Sequence, residues 1–191
     1  MLKRYSGNGT NWKIRFLIEL MNEGIRLSKD FYTRDVLDVA PDLPGKILVI
    51  KLTGGIFERF KITEVEAYRG SEDKACHASK GRTSRTEIMF HEGGRLYIYL
   101  IYGMYWMLNI VTGDENNPQA VLIRGVEGFS GPGKLTKSLG INSSFYGEDL
   151  VLSEKIWVED SGLVHPVKNG PRIRVEYAGE YWRSRPWRYY L

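Results

Sequence analysis

Most apolar positions in the chain alternate with polar ones or form short runs rich in β-branched residues, a pattern typical of β-strands. One strand is predicted over KILVIKL and a second over FERFKITEVEAY, with a turn at Gly54 and Gly55 between them. Further strands are predicted at PQAVLIRGVEG, KIWVE, RIRVEY and WRYYL. Because strands dominate without a βαβ alternation or a repeat, the pattern favours an α+β fold in one domain, residues 1–191.

Three segments follow helical spacing instead. Apolar residues between Ile14 and Ile25 recur every three or four positions, which predicts an amphipathic helix over residues 11–28. A short helix at RDVLDVA is predicted to be capped by Thr33 and stopped by Pro41. A third helix is predicted through KLTKSLG, opened by a Gly-Pro-Gly turn.

The stretch LYIYLIYGMYWMLNI, residues 96–110, carries no charge. With the residues up to Gly113 it nearly reaches the length of a membrane helix, but its tyrosines and Asn109 are poorly suited to hydrocarbon. The alternation predicts a hairpin that turns at Gly103 with Tyr102 at its tip. Such a hairpin is either ordinary core or a surface that stacks on flat rings, because a ring at a tip stays exposed unless something covers it.

Two carboxylates share one face of the FERFKITEVEAY strand. Glu64 and Glu66 are expected to point the same way as Ile62 and Tyr68. If that face is solvated, they are surface charges; if it lines a cleft, burial and repulsion would raise a carboxyl pKa towards that of a general base. The sequence pattern leaves both interpretations of the two carboxylates open. Arg124 lies inside the apolar strand AVLIRGV and needs a partner or a ligand, for which a carboxylate is the natural choice.

Composition narrows the function classes. The chain has 191 residues, a net charge of +4, a pI near 9.1 and 13% aromatic residues, which suits a protein that meets nucleic acid and equally a slightly basic globular protein. A single cysteine and three histidines give no disulfide framework, zinc spacing or iron–sulfur set. The first residues lack a signal-peptide pattern, so a cytoplasmic protein is expected.

Positive charge is concentrated in two places. Lys80, Arg82 and Arg85 lie in an irregular polar segment, residues 69–94. Lys134 follows the Gly-Pro-Gly turn, where backbone N–H groups at a helix start suit a phosphate.

Four strings, in this order, closely resemble the alkyladenine (3-methyladenine or methylpurine) DNA glycosylase family: EVEAYRGSEDKACHASKGRTSRTEIMF, GRLYIYLIYGMYWMLNIV, AVLIRGVE and GPGKLTKSLGI. FYTRDVLDVAPDLPGKILV and PRIRVEYAGE…WRYYL resemble its opening and closing segments. The resemblance thus covers residues 31–191 and leaves 1–30 as an N-terminal helical extension.

This resemblance implies a compact domain around a mainly antiparallel curved sheet, with a protruding hairpin and flanking helices. It implies a monofunctional base-excision enzyme, a monomer without cofactor or metal, whose partner is double-stranded DNA containing damaged purines. Such an enzyme flips out 3-methyladenine, 7-methylguanine, ethenoadenine or hypoxanthine and hydrolyses the N-glycosidic bond, leaving an abasic site.

The resemblance also assigns catalytic roles residue by residue. Glu66 matches the general base that activates water against the sugar C1′. Arg124 matches the arginine that helps to hold this water, and the backbone carbonyl near Ile173 is expected to contact it as well.

The base pocket follows from the same comparison. Tyr68 and Tyr99 match the two walls that sandwich the flipped base, with His77 against its edge. Asn109 matches the residue that crowds the exocyclic amine of guanine, and Leu122 matches a further pocket residue.

Tyr102 matches the side chain that intercalates into DNA from the minor groove and fills the gap left by the flipped nucleotide. With a three-residue turn at 102–104, Tyr99 would pair with Met107 and share a face with Asn109. The other tyrosines and Trp106 are expected to be packing residues. The expected contacts to the DNA backbone are Lys80, Arg82, Arg85 and Lys134.

Two departures from the family pattern stand out. The link GVEGFS after Arg124 is short, and Arg174 stands where the family usually has glycine, so substrate breadth and DNA affinity are open. Two other hypotheses remain: a nucleic-acid-binding module without catalysis, and a structural protein with an aromatic core. Glu66 and Arg124 together favour the enzyme, because binding alone requires neither.

Overall fold

The computed structural model describes residues 24–191. The strands are β1 (Ile25–Arg26), β2 (Ile47–Lys51), β3 (Phe57–Arg69), β4 (Leu96–Ile101), β5 (Tyr105–Thr112), β6 (Gln119–Val126), β7 (Phe129–Ser130), β8 (Ile156–Asp160), β9 (Lys168–Gly170) and β10 (Arg188–Tyr190). The α-helices are α1 (Lys29–Tyr32), α2 (Val36–Asp42), α3 (Pro132–Ser138) and α4 (Glu180–Arg183). No helix within residues 24–191 is long and apolar enough to cross a membrane.

The strands form one antiparallel sheet in the order β1-β8-β2-β3-β6-β5-β4, with β10 on β3, β9 on β10 and β7 on β6. The 13-residue β3 is its central strand. Its first half pairs with β2, and its second half pairs with both β6 and β10. The expected α+β class with a mainly antiparallel sheet is confirmed.

The two faces of the sheet have different roles. On one face, side chains such as Val65, Leu108 and Ile123 are fully buried against α2 and α3 and form the main apolar core. The opposite face is covered by residues 70–94 and by the C-terminal segment 171–187, which pack around aromatic side chains of β3 and β4. The candidate site lies on this second face.

Two β-bulges make the pairing of β3 with β6 irregular. Glu64 lies opposite Gly125 and Val65 opposite Ile123, which leaves Arg124 as an extra residue on β6. A second shift, between Ile62 and Glu64, leaves an extra residue on β3. A bulge re-aims side chains, and Ile62 consequently lies in the main core with Val65 rather than on the Glu64 face. The expected alternation is wrong at this one position.

The N-terminal prediction can be checked only in part. Residues 11–23 of the predicted helix 11–28, and residues 1–23 of the extension 1–30, lie outside the described residues. At its C-terminal end the helix prediction is wrong. Ile25 and Arg26 form β1 and pair with Asp160 and Glu159 of β8, and α1 begins at Lys29. Backbone hydrogen bonds to a sheet edge outweigh the helical spacing there.

The second predicted helix forms as α2, but its ends differ from the prediction. The cap is Asp35 rather than Thr33, since the Asp35 side chain accepts a hydrogen bond from the Leu37 N–H at 2.9 Å. Pro41 lies inside the helix instead of stopping it. The proline removes one N–H donor from this short helix, which ends one residue later, at Asp42.

The RIRVEY segment is not a strand, contrary to the prediction. Arg172 is held in a buried ion pair with Asp73, Arg174 has a φ of 61°, and a 3-10 helix begins at Glu176. A left-handed residue interrupts an extended chain. The short strands β7 and β9 were not predicted, because each forms by pairing with a distant or neighbouring strand and has no periodic pattern. The four-residue helix α4 was not predicted either, because it is too short to show a helical period.

Candidate active site

Neighbouring strands bring the candidate residues into one row across the sheet. Glu66 lies opposite Leu122, Leu122 opposite Asn109, and Asn109 opposite Tyr97. On the other side of β3, Arg188 lies opposite Glu66. Residues directly opposite each other in antiparallel strands point to the same face. The row therefore joins parts of the chain that are distant in sequence.

Glu66 is fully buried, and its carboxylate is hydrogen-bonded on both oxygens. Oε1 accepts a hydrogen bond from the Ile173 N–H at 2.7 Å, and Oε2 accepts one from the Tyr68 hydroxyl at 2.8 Å. The Nε of Arg124 lies 3.4 Å from Oε1. This geometry decides between the two interpretations of the carboxylate strand: the face lines a cleft and is not a solvated surface.

Burial raises the pKa of Glu66 above its ordinary value. The charge of Arg124, the Ile173 N–H and the Tyr68 hydroxyl all favour the ionised form, but they do not cancel the cost of burial. A carboxylate with a raised pKa takes up a proton more readily, which is the property that a general base requires. Glu66 is thus chemically suited to activate water.

A chain of alternating charges leads away from Glu66. Glu64 Oε1 accepts hydrogen bonds from Arg124 Nε at 3.1 Å and from Arg188 Nη1 at 3.3 Å. Arg124 therefore lies between two carboxylates and is slightly closer to Glu64 than to Glu66. The prediction that Arg124 needs a carboxylate partner is confirmed, with two partners rather than one.

A small, partly open cavity adjoins the Tyr68 side of this network. Flat aromatic groups on several sides suit a planar ligand. The lining residues are Tyr68, Ala75, Cys76, His77, Met89, Tyr97, Tyr99, Asn109, Ala120 and Tyr177. Across residues 24–191, no three His, Cys, Asp or Glu side chains are grouped to hold a metal ion.

His77 forms an edge of the cavity and is held by two tyrosines. Its Nδ1 lies 2.9 Å from the Tyr97 hydroxyl, and its ring meets the Tyr99 ring edge-on with centroids 4.6 Å apart. Burial, followed by the charges of Arg85 and Lys80, lowers the pKa of His77 to about 4, so its ring is neutral at pH 7. Tyr97 is buried as a packing residue, as predicted, and it also lines the cavity and contacts His77.

The predicted register of the hairpin is confirmed. Tyr99 pairs with Met107 around a turn at 102–104, and both Tyr99 and Asn109 line the cavity. The Asn109 Nδ2 donates hydrogen bonds to the carbonyl oxygens of Tyr97 at 3.0 Å and Met107 at 3.3 Å. These bonds fix the orientation of the amide in the pocket wall.

Tyr102 lies at the tip of this hairpin, as predicted, with 75% of its surface exposed. Its φ is 51°, in the left-handed region that a large side chain rarely adopts. An exposed ring held in an unfavourable backbone conformation is typical of a functional position.

The four residues expected to contact the DNA backbone have exposed side chains. They are Lys80, Arg82, Arg85 and Lys134. Two of them also make contacts within the protein: Arg82 forms an ion pair with Glu87 at 3.0 Å, and the guanidinium of Arg85 lies 4.9 Å from the centre of the Tyr99 ring.

Two expected pocket residues are placed differently from the rest. Ile173 reaches Glu66 through its backbone N–H, whereas the resemblance implied a contact from its carbonyl to the attacking water. Leu122 is buried in the row between Glu66 and Asn109, and its side chain is not part of the cavity lining.

Sequence reasoning missed four residues around the site. The Tyr177 side chain lines the cavity and donates a hydrogen bond to the Ala75 carbonyl at 3.0 Å. Arg172 and Asp73 form a bidentate ion pair with no exposed side-chain surface. No spacing signal could reveal this pair, since its members lie 99 residues apart. Tyr97 could have been found because it lies two residues before Tyr99 in the same strand, so both side chains point to the same face.

Comparisons with known proteins identify the family of this chain. The sequence model of the family described as Methylpurine-DNA glycosylase (MPG) matches residues 30–130 and 127–191. The chain belongs to the methylpurine-DNA glycosylase family. The resemblance inferred from the sequence motifs is thereby confirmed.

Individual relatives of this methylpurine-DNA glycosylase are similar over most of their length. The chain is 45% identical over 184 residues to a protein of Methanocella arvoryzae, covering 86% of this chain and 91% of that one. It is 42% identical over 179 residues to one of Psychrobacter cryohalolentis (78% and 84%) and 44% identical over 171 residues to one of Rickettsia felis (85% and 94%). All three bear the name "Putative 3-methyladenine DNA glycosylase".

The backbone at Arg174 is left-handed, with a φ of 61°, which glycine adopts without strain and a side chain adopts at a cost. This conformation is consistent with the glycine that the resemblance implies for the family at this position. Arg174 lies between Ile173, whose N–H donates a hydrogen bond to Glu66, and buried Val175.

Replacing Glu64 with Gln is expected to move the acidic limb of the glycosylase pH–rate profile to lower pH. A neutral amide competes less well for Arg124, whose guanidinium then pairs more fully with Glu66 and lowers the pKa of this carboxyl. Since Glu66 must be ionised to accept a proton, activity would persist to lower pH. At neutral pH the rate would fall by less than about tenfold, because the base is weakened and not removed.

The measurement is the single-turnover rate of base release from about pH 4 to about pH 9, a range that brackets the ordinary pKa values of glutamate and histidine. Glu127→Gln is the matched control, because Glu127 is exposed at the end of β6 and 3.8 Å from Lys61. An acidic limb that stays in place, or moves to higher pH, would contradict the role of Glu64.

Proposed function

We propose that this methylpurine-DNA glycosylase removes both alkylated and deaminated purines from double-stranded DNA. Its family gives the reaction class, a DNA-3-methyladenine glycosylase that hydrolyses N-glycosyl bonds of alkylated purines in base excision repair. The observation that carries the proposal is the buried carboxylate of Glu66, with its raised pKa, hydrogen-bonded to the wall of an aromatic pocket.

In the proposed reaction Glu66 accepts a proton from water as the water oxygen bonds to the sugar C1′. The C1′–N bond breaks, and its electron pair leaves with the base, which gives an abasic sugar and a free purine. As in glycoside hydrolysis, positive charge develops on the sugar and a carboxylate stabilises it. Arg124 would help to hold the water, and the Ile173 N–H holds the carboxylate in place.

The leaving base sets how much help the reaction needs. A purine methylated at N3 or N7 already carries a positive charge and leaves as a neutral molecule. Neutral hypoxanthine must gain a proton as it leaves, so it depends more on its contacts in the pocket.

The pocket would hold the extruded purine by stacking. Tyr68 and Tyr99 would face its two sides, with His77 and Asn109 at its edges. Stacking contributes on the order of 1–3 kcal/mol per base and does not depend on base identity. Asn109 would then disfavour guanine by crowding its exocyclic amine, which the fixed orientation of the Asn109 amide supports. 7-Methylguanine keeps this amine, but its positive charge makes it a better leaving group than guanine.

Tyr102 would intercalate into the duplex where the flipped nucleotide has left. Extruding a base costs a few kcal/mol of unstacking, and this cost is lowest at a damaged pair. A wedge side chain offsets part of it. The exposed ring at the hairpin tip has the position that this role requires.

Damaged DNA is the partner that the family implies. We propose further that the protein acts as a monomer in the cytoplasm, in contact with the chromosome, and that Lys80, Arg82 and Lys134 meet the phosphates.

The deciding experiment measures free base released from duplexes that contain one 7-methylguanine, ethenoadenine or hypoxanthine. Release of the purine and an alkali-labile abasic site are expected for each duplex, and no release from the undamaged duplex. Salt-dependent binding without release of any base would instead support the binding module. Release from the 7-methylguanine duplex alone would reject the deaminated and ethenoadenine substrates.

A further inference from the structure

Arg85 lies against the aromatic wall of the base pocket. Its guanidinium carbon is 4.9 Å from the centre of the Tyr99 ring, and the other contacts of this ring are with His77 at 4.6 Å and Tyr97 at 5.1 Å. All three of these aromatic residues line the cavity. Arg85 is thus one ring away from the space where the purine would stack.

The neighbouring basic residue Arg82 has a different environment. It forms an ion pair with Glu87 at 3.0 Å and stacks on Phe90, which does not line the cavity. No carboxylate of residues 24–191 lies within ion-pair distance of Arg85, so its positive charge is not offset by a partner there.

A positive charge at this place discriminates between the two kinds of damaged purine. It repels a purine that carries the charge of N3 or N7 methylation and leaves a neutral purine unaffected. In addition, the negative face of the Tyr99 ring already attracts the guanidinium, so less of this attraction remains for a second cation. Both effects weaken the binding of cationic bases relative to neutral ones.

We infer that Arg85 is a specificity-determining residue that shifts this glycosylase towards neutral damaged purines, such as hypoxanthine and ethenoadenine, and away from cationic methylpurines. The inference rests on the proposed function for its substrates. It gives Arg85 a role beyond that of a contact to the DNA backbone, because a phosphate contact would affect every lesion equally.

The test compares kcat/KM for 7-methylguanine and for hypoxanthine in the same duplex sequence. Arg85→Gln is expected to raise the ratio of kcat/KM for the cationic substrate to kcat/KM for the neutral one by about three- to tenfold. This is the effect of removing a unit charge roughly 8 Å from the purine at an effective dielectric constant of about 30 to 60. Arg85→Lys, which keeps the charge, should stay near the wild-type ratio.

Arg82→Gln is the matched control, since it removes the same charge from the same segment without contact to the pocket. It should lower both rates together and leave the ratio within about twofold of the wild type, because loss of a phosphate contact acts uniformly. An equal fall for both substrates in Arg85→Gln would overturn the inference and make Arg85 a backbone contact only.

A second measurement does not depend on catalysis. The groups that face His77 are the cations Lys80 and Arg85 and the rings of Tyr97 and Tyr99, and the pKa of His77 lies at about 4. In an NMR titration, Arg85→Gln should raise this pKa, whereas Arg82→Gln should leave it in place. An unchanged His77 titration in Arg85→Gln would show that the charge of Arg85 does not reach the pocket. If the wild type releases no damaged base, the proposed function fails. The His77 titration still tests the placement of Arg85 in that case.

Discussion

Replacing Glu66 with Gln is expected to slow base release by on the order of 10³-fold, the contribution typical of a general base. The amide has nearly the same shape, but it neither accepts a proton from water nor offsets positive charge on the sugar. It can still accept one of the two hydrogen bonds that Ile173 and Tyr68 donate to the carboxylate. The variant should therefore fold and bind a hypoxanthine duplex with an affinity close to that of the wild type.

The measurement is the single-turnover rate at saturating enzyme, with a binding titration on the same duplex. Glu127→Gln serves as the control, because this exposed glutamate lies outside the cavity. If Glu66→Gln kept more than about a tenth of the wild-type rate, Glu66 would not be the base, since removing a general base costs at least about a hundredfold.

Replacing Arg172 with Ala is expected to lower the free energy of unfolding by about 3–5 kcal/mol, the usual effect of breaking a buried ion pair. Arg172 forms two hydrogen bonds to Asp73 and stacks between Tyr68 at 4.8 Å and Trp187 at 5.0 Å. Its loss would leave the Asp73 carboxylate buried, with only backbone N–H partners. It would also remove the support behind the Tyr68 wall.

Urea unfolding monitored by tryptophan fluorescence measures this change. Arg183→Ala is the matched control, because Arg183 pairs with Glu180 at the surface, where such pairs contribute about 0–1 kcal/mol. The double variant Arg172→Ala/Asp73→Ala should recover part of the loss, since no unpaired charge then remains buried. A loss below about 1 kcal/mol for Arg172→Ala would show that the pair is not a stabilising element.

Much of the site could be predicted from local sequence patterns. Alternation placed Glu64, Glu66 and Tyr68 on one face of a strand, and turn length set the register that brings Tyr99 and Asn109 together. Arg124 in an apolar strand required a carboxylate. These predictions hold because each depends on residues within one strand or one hairpin.

Other features depend on contacts that no local pattern contains. The shift between Ile62 and Glu64 reverses the alternation of β3, and it arises only where β3 pairs with β6. The Ile173 N–H reaches Glu66 across 107 residues, in a segment whose alternation predicted a strand. Tyr97 contacts His77 only because residues 70–94 cover the hairpin, and the sequence of the hairpin does not reveal this contact.

The pairing of β10 with β3 also determines when Glu66 reaches its final environment. Glu66 receives its last strand neighbour, Arg188, and the Ile173 N–H from segments made long after the EVEAY strand. The buried, hydrogen-bonded state of this carboxylate can therefore form only after almost the whole chain has been synthesised.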